Sequence, residues 1–250
     1  MLKNKTVLVT GATSGFGLAI ANQCLAQGAR VIATGRRADR LAEFKSDNVH
    51  TLTLDVRDKD AVNAAIASLP KAFAAIDILV NNAGLARGFG SYDTQSMDDI
   101  EEMVDTNIKG MLYVTHAILP GMVARNNGHI VNIGSTAGNY PYPGGNAYGG
   151  TKAFVKQFSL NLRADLLGKN IRVTNIEPGM AETEFSLVRF HGDQSKSNDV
   201  YKGMEALSAD DIADAVLWCV TRPAHVNVNR MEVMPTMQAF SPFAVSRKGN

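Results

Sequence analysis

The sequence is short of several things, and each shortage closes off a class of explanation. Only two of its 250 residues are cysteines, Cys24 and Cys219. Each sits in an apolar stretch with helical spacing, so they read as buried free thiols, and neither a disulfide framework nor a metal site is indicated. No apolar run approaches the ~20 residues of a membrane span. Neither sign of charge prevails: 25 Lys and Arg against 24 Asp and Glu leave +1. That balance gives no electrostatic footing for nucleic acid or for an anionic membrane. Linkers, low-complexity segments and internal repeats are missing too, which favours one domain over residues 1–250. The opening "MLKNKTVLVTGAT" has basic residues ahead of an apolar run. That run stops within a few residues at a glycine-rich turn, so it reads as a strand and not as a signal peptide. The expectation is a reduced, cytoplasmic protein.

What the sequence does contain is an alternation. Short β-branched runs recur at 6–10, 30–34, 49–56, 76–81, 128–135, 171–178 and 226–234. Most lack polar alternation, as strands buried on both faces of a parallel sheet do. Helical patterns fall between them at 15–28, 39–46, 58–69, 97–124, 147–168 and 208–221. The last opens on Ser208 as N-cap, with Asp210 and Asp211 in its first turn. Seven strands alternating with six helices predict an α/β fold with one doubly wound parallel sheet flanked by helices. Segment 179–207 shows no clear pattern.

The first βα turn, "TGATSGFG", carries glycines at 11, 15 and 17. Gly11 permits the tight turn, Gly15 a close backbone approach to a pyrophosphate, and Gly17 close helix–strand packing, with the helix N-terminus facing the negative charge. About twenty residues on, an NAD site would carry an acid for the ribose 2′-hydroxyl. This chain reads "ATGRRADR" instead. Arg36 and Arg37 can pair a 2′-phosphate that an acid would repel, so the pattern points to NADP. At the ends of the third and fourth strands, "LDV" places Asp55 and Val56 to flank an adenine, and "NNAG" places Asn82 to reach a ribose.

In "NAYGGTK", Tyr148 and Lys152 are four residues apart on a predicted helix and so share one face. A phenol titrates near pH ~10, and a neighbouring ammonium favours its ionised form. The pair could make an acid/base catalyst from an ordinarily inert side chain, although the same spacing also occurs by chance on solvated helices, so the rest of the chain decides.

These motifs occur in a specific order: TGxxxGxG at 10–17, "NNAG" at 81–84, Asn107 in "DTNIKG", Ser135 in "VNIGSTAG", Tyr148-xxx-Lys152, and "PG" at 178–179. Together they resemble the short-chain dehydrogenase/reductase family over roughly residues 5–235. "VIATGRR", "GGNAYGGTKAFVKQFSLNLR" and "VRFHGD" are similar to its bacterial NADP-dependent serine and 3-hydroxy acid dehydrogenases, the L-allo-threonine type among them. The resemblance implies a Rossmann-type fold and a four-residue site. Tyr148 is the proton donor or acceptor, and Lys152 tunes it and binds the nicotinamide ribose. Ser135 holds the substrate oxygen, and Asn107 positions a water leading to Lys152. It extends the cofactor contacts to Thr13, Ser14, Phe16, Ala83, Gly84, Pro178, Gly179 and Thr183. It also implies a homotetramer or homodimer. One departure is that "PGMAETEF" has no Gly-Gly pair and is one residue shorter than in those relatives, placing Glu182 near the expected carboxamide and pyrophosphate.

Segment 179–207 takes the position of the family's substrate-covering loop. It mixes slight apolar character with Arg189, His191, Lys196 and Lys202. A steroid or acyl chain would want a continuous apolar lining, whereas a small carboxylate wants a guanidinium fork. Arg189 is the candidate for that role, His191 a loop hydrogen-bonding residue, and Tyr140 and Tyr142 candidate pocket walls. Small 3-hydroxy acids fit best: serine, threonine isomers, 3-hydroxyisobutyrate and 3-hydroxypropionate, giving 3-oxo acids or semialdehydes. A broad carbonyl or diketone reductase using NADPH, and a non-catalytic NADP(H)-binding sensor, remain the alternatives.

Overall fold

Side chains along a strand alternate between the two faces of a sheet, and the first strand shows the consequence. In the computed structural model, which describes residues 2–241 and 244–248, β1 (Thr6–Thr10) is buried throughout. Val7 and Val9 enter one core, and Leu8 enters the other. Six more strands join it: β2 (Arg30–Gly35), β3 (Val49–Thr53), β4 (Ile78–Asn81), β5 (Gly128–Ile133), β6 (Ile171–Pro178) and β7 (Arg230–Val233). The order is β3-β2-β1-β4-β5-β6-β7, with every pair parallel. Strand order reverses between β1 and β4, and in such sheets the crevice beyond the strand C-termini at that point is where ligands bind.

Helices cover both faces. On one, α1 (Gly15–Ala26) and α9 (Ala209–Val220) set Ile20, Cys24, Ile212 and Val216 against Val7, Val9, Val31 and Val80. On the other, α3 (Lys59–Ala67), α5 (Met111–Arg125) and α6 (Asn146–Asp165) pack Val62, Val114, Ile118 and Leu162 onto Leu8, Ile32, Leu79 and Ile130. Both cysteines are buried and free. Burial pushes their thiols up, to about 12 for Cys24 and about 11 for Cys219, which leaves them unreactive. Ser208 caps α9 as its sequence predicts: its hydroxyl accepts from Asp211 N at 3.2 Å while the Asp211 carboxylate accepts from Ser208 N at 2.8 Å. Among the described residues, no helix is long and apolar enough to cross a membrane.

The differences from expectation are local. The outer strands β3 and β7 each have one neighbour and are shorter than the runs 49–56 and 226–234. The helix expected over 39–46 is one turn, α2 (Ala38–Leu41), because Leu41 is its only buried residue and a single turn gains little without packing. The helix expected over 97–124 divides into α4 (Met97–Val104) and α5, joined by a π-helical segment at Asp105–Gly110. Segment 179–207 holds two helices, α7 (Glu184–Arg189) and α8 (Gln194–Tyr201), too short to show a period. Their starts are set by caps: Thr183 accepts from Phe185 N at 3.2 Å, and Asp193 from Lys196 N at 3.1 Å.

Candidate active site

The first turn brings β1 and β4 together. Gly11 has φ +66°, and a Cβ there would come within 3.0 Å of the Ala83 Cα. At Gly17 a Cβ would stand 2.2 Å from the Gly11 carbonyl oxygen, so only glycine lets α1 start so close to the strand. Thr10 and Asn82 lock the arrangement. The Thr10 hydroxyl accepts from Asn82 N (3.0 Å) and Ala83 N (2.9 Å), while Asn82 Nδ2 donates to the Thr10 carbonyl (2.9 Å) and the Gly11 carbonyl (3.2 Å). Both side-chain N–H groups of Asn82 thus brace the turn, leaving only its oxygen for a ribose.

Above the turn lies a cleft of about 600 Å³. Nearly every residue singled out in the sequence lines it: Gly11, Thr13, Ser14, Gly15 and Phe16 from the turn, then Arg36, Arg37, Asp55, Val56, Asn82, Ala83 and Gly84. Ser135, Tyr148, Lys152, Pro178, Gly179, Thr183 and Arg189 complete the set. Gly17 and Asn107 stand behind the wall. Glycine backbone at one flank, a pair of arginines at one end and a buried Tyr–Lys pair form a donor set that suits a phosphorylated dinucleotide.

At the arginine end, Arg37 Nε and Nη2 donate to the Thr13 hydroxyl at 3.2 and 3.1 Å, and Nη1 donates to Glu184 at 2.8 Å. Arg36 is half exposed and lies 3.8 Å from Glu102. Asp55 is gripped by Arg57, with contacts as short as 2.6 Å, and that hydrogen-bonded cation holds its carboxyl below the usual range.

At the other end, α6 presents Tyr148 and Lys152 on one buried face. The π-helical segment puts Asn107 beside them. Its side chain clamps the Leu85 backbone, accepting from N and donating to O at 2.8 Å each, and donates to Thr151 on α6 at 3.0 Å. Lys152 Nζ donates to the Ile133 carbonyl at 2.8 Å, and burial brings its pKa down to about 8. Burial pushes the Tyr148 phenol above its ordinary value. The groups that pull it back are a hydrogen bond from Ser135 and the Arg189 guanidinium. Lys152 stands over the ring, 5.8 Å from its centroid.

The covering segment meets this end through α7. Arg189 Nη2 donates to the Tyr142 hydroxyl at 2.9 Å and Nε to the Gly88 carbonyl at 3.3 Å. Its guanidinium sits among three rings, 5.2 Å from Phe89, 5.8 Å from Tyr142 and 5.6 Å from Tyr148. His191 binds Asp99 at 3.1 Å.

Two expectations are corrected here. Tyr140 does not wall the cleft, because its hydroxyl is drawn to Glu232 on β7 at 3.0 Å. Glu182 does not line it either: its backbone N–H pairs with the Leu207 carbonyl at 2.8 Å and its side chain is exposed. Glu184 lines the cleft instead. Sequence reasoning missed Phe89, Glu184, Phe185, Gln238 and Arg247 in the lining. Phe185, 5.6 Å from Tyr148 in ring-to-ring distance, and Glu184 lie in a segment without visible period. Gln238 and Arg247 lie beyond the last strand, where no local signal marks them.

The chain is similar to known proteins over nearly its whole length. A family model described as short chain dehydrogenase matches residues 5–192. The NADP-dependent 3-hydroxy acid dehydrogenase YdfG of Escherichia coli K12 is 55% identical over 246 residues, covering 97% of this chain and 99% of that protein. A serine 3-dehydrogenase of Agrobacterium fabrum is 50% identical over 246 residues, 97% of this chain and 98% of its own. Among solved structures, the closed form of a serine dehydrogenase complexed with NADP+ superposes with a TM-score of 0.94 at 55% identity, covering 97% of this chain and all of that one.

Proposed function

The chain belongs to the short-chain dehydrogenase family, and from that premise we propose that it is an NADP-dependent oxidoreductase that interconverts small 3-hydroxy acids with 3-oxo acids or semialdehydes. The observation that carries the substrate class is the position of Arg189. It is a cation held among aromatic rings 5.6 Å from the Tyr148 ring, in the same cleft. A 3-hydroxy acid has its carboxylate and its hydroxyl two carbons apart, which matches one ligand touching both residues. Serine, threonine isomers, 3-hydroxyisobutyrate and 3-hydroxypropionate share that spacing.

The bound nicotinamide supplies the two-electron, hydride-accepting chemistry. The protein manages the proton. In the oxidative direction Tyr148 takes the proton from the substrate hydroxyl as the carbonyl forms, and in reduction it returns one. Ser135 donates to the substrate oxygen and stabilises the ionised phenol. Lys152 binds the nicotinamide ribose and adds positive charge at the phenol, and Asn107, locked to Leu85 and Thr151, holds the water that leads to Lys152. At the far end Arg36 and Arg37 receive the 2′-phosphate. Assembly as a homotetramer or homodimer belongs to the same reading and rests on family likeness.

The test is steady-state turnover of L-serine, L-allo-threonine and 3-hydroxyisobutyrate with NADP and with NAD, with a neutral secondary alcohol as control. Hydroxy-acid turnover that prefers NADP is expected, and Tyr148→Phe should lower kcat by roughly 10²–10⁴-fold while NADP still binds. Turnover of the neutral alcohol alone would overturn the substrate class.

A further inference from the structure

The pair Arg37–Glu184 joins two parts of the protein that the reading above treats separately. Arg37 follows β2 and faces the adenosine end of the cleft. Glu184 is the first residue of α7, the helix whose last residue is Arg189. Their contact, at 2.8 Å, spans 147 positions of sequence.

We propose that Glu184 is a positioning residue that couples recognition of the 2′-phosphate to the placement of α7, and through it to the substrate-binding Arg189. The proposal rests on the cofactor and substrate assignments above.

The geometry supports it in three ways. First, Arg37 is fixed from both sides, by the Thr13 hydroxyl of the glycine turn and by Glu184 of the covering helix. A guanidinium carries five N–H groups and these contacts use three. A phosphate can therefore be bound without releasing either partner. Second, a guanidinium held in place loses less freedom on binding an anion than one that is free, so each of its two anionic partners favours the other. Repulsion between phosphate and carboxylate is offset because Arg36 brings a second cation to the same end of the cleft. Third, the opposite end of α7 is tied back as well. Arg87 donates to the Val188 carbonyl and to Glu102, each at 2.7 Å, and Glu102 faces Arg36 at 3.8 Å. Arg37 thus contacts the start of α7 directly, and Arg36 is linked to its other end through Glu102 and Arg87.

Both side chains of the Arg37–Glu184 pair are about two-fifths exposed. The coupling should therefore be small, up to about fivefold, as for pairs in contact with water.

The experiment compares wild type with Glu184→Ala, using NADP and NAD as probes. Amide hydrogen exchange over 183–190 reports the helix, and calorimetric titration of each cofactor reports affinity; neither needs turnover. In the wild type, NADP should protect these amides several-fold more than NAD does. In Glu184→Ala that difference should collapse, and the NADP-over-NAD affinity ratio should fall by up to about fivefold. Loss of a first-turn acid can weaken a helix by itself, but that effect is the same with either cofactor and leaves the difference unmoved. Glu184→Gln, which keeps the length and loses the charge, should fall between. An NADP-over-NAD difference that persists unchanged in Glu184→Ala overturns the coupling. Equal affinity for NADP and NAD in the wild type would instead overturn the cofactor assignment. Wild-type and variant proteins that bind as expected but turn over no hydroxy acid would sink only the substrate class.

Discussion

Replacing Arg189 by methionine removes the cation and keeps much of the side-chain volume. The guanidinium commits two N–H groups to Tyr142 and Gly88 and lies within 6 Å of three ring centroids. A methionine can keep the apolar part of that packing. What is lost is a charge-assisted hydrogen bond to the substrate carboxylate, worth about 1.5–3 kcal/mol. At 1.36 kcal/mol per decade, kcat/KM for L-serine or 3-hydroxyisobutyrate should fall roughly 10- to 150-fold. Arg189 also pulls the Tyr148 phenol down. Its removal raises that pKa, so the rising limb of the oxidation profile moves to higher pH for every substrate. The comparison therefore belongs on each variant's pH plateau, following NADPH absorbance. There, a neutral secondary alcohol should lose no more than about twofold, because the cation has nothing to bind on it. Arg189→Lys should recover part of the hydroxy-acid rate, as a point charge replaces a fork. Equal losses for acid and alcohol would refute the reasoning and leave Arg189 as a brace for the covering helix.

Other perturbations test the frame around the site. Gly17→Ala would drive a Cβ to 2.2 Å from the Gly11 carbonyl oxygen. It should cost about 1–3 kcal/mol, lower Tm by about 2–4 °C per kcal/mol for a chain of this size, and weaken NADP binding. Gly150→Ala, with nothing within 4 Å of its Cβ in the helix that holds Tyr148, should raise Tm slightly. His129 is buried against Thr174 at 2.8 Å, and burial takes its pKa down to about 3. With the folded value below the unfolded one of about 6.5, the unfolded chain binds more protons between the two. Stability is therefore intact above about 6.5 and falls as pH drops toward 3, by up to about tenfold in the unfolding constant per pH unit. Urea midpoints across that range measure the slope, and His129→Gln should make it shallower if His129 is its source.

How much of this could be read from the chain follows from how local each signal is. The alternation of buried strands and amphipathic helices is a short-range pattern, so seven strands and the doubly wound order of layers were legible. The glycine turn was legible because its glycines stand close together directly after the first strand, although the contact that demands Gly11, with Ala83, is distant in sequence. Tyr148 and Lys152 were legible because helix geometry alone puts them on one face. Short elements were not: α7 and α8 are set by one capping side chain each and by what they pack on, and Arg189 was chosen there for its chemistry and not for any visible period.

The sequence by itself determined the alternating fold, the order of glycines in the first turn, the arginine pair and the Tyr–Lys spacing, since each is written in residues close together in the chain. Tertiary structure alone decided which distant groups meet. It spent the Asn82 amide on the Thr10 and Gly11 carbonyls, turned Tyr140 toward Glu232, and left Glu182 in solvent. It buried the Tyr148 phenol and brought Ser135 and Arg189 to it, and it set Glu184 on Arg37. Charge and burial act through space, and a chain folded on itself fixes those distances only when every element is in place.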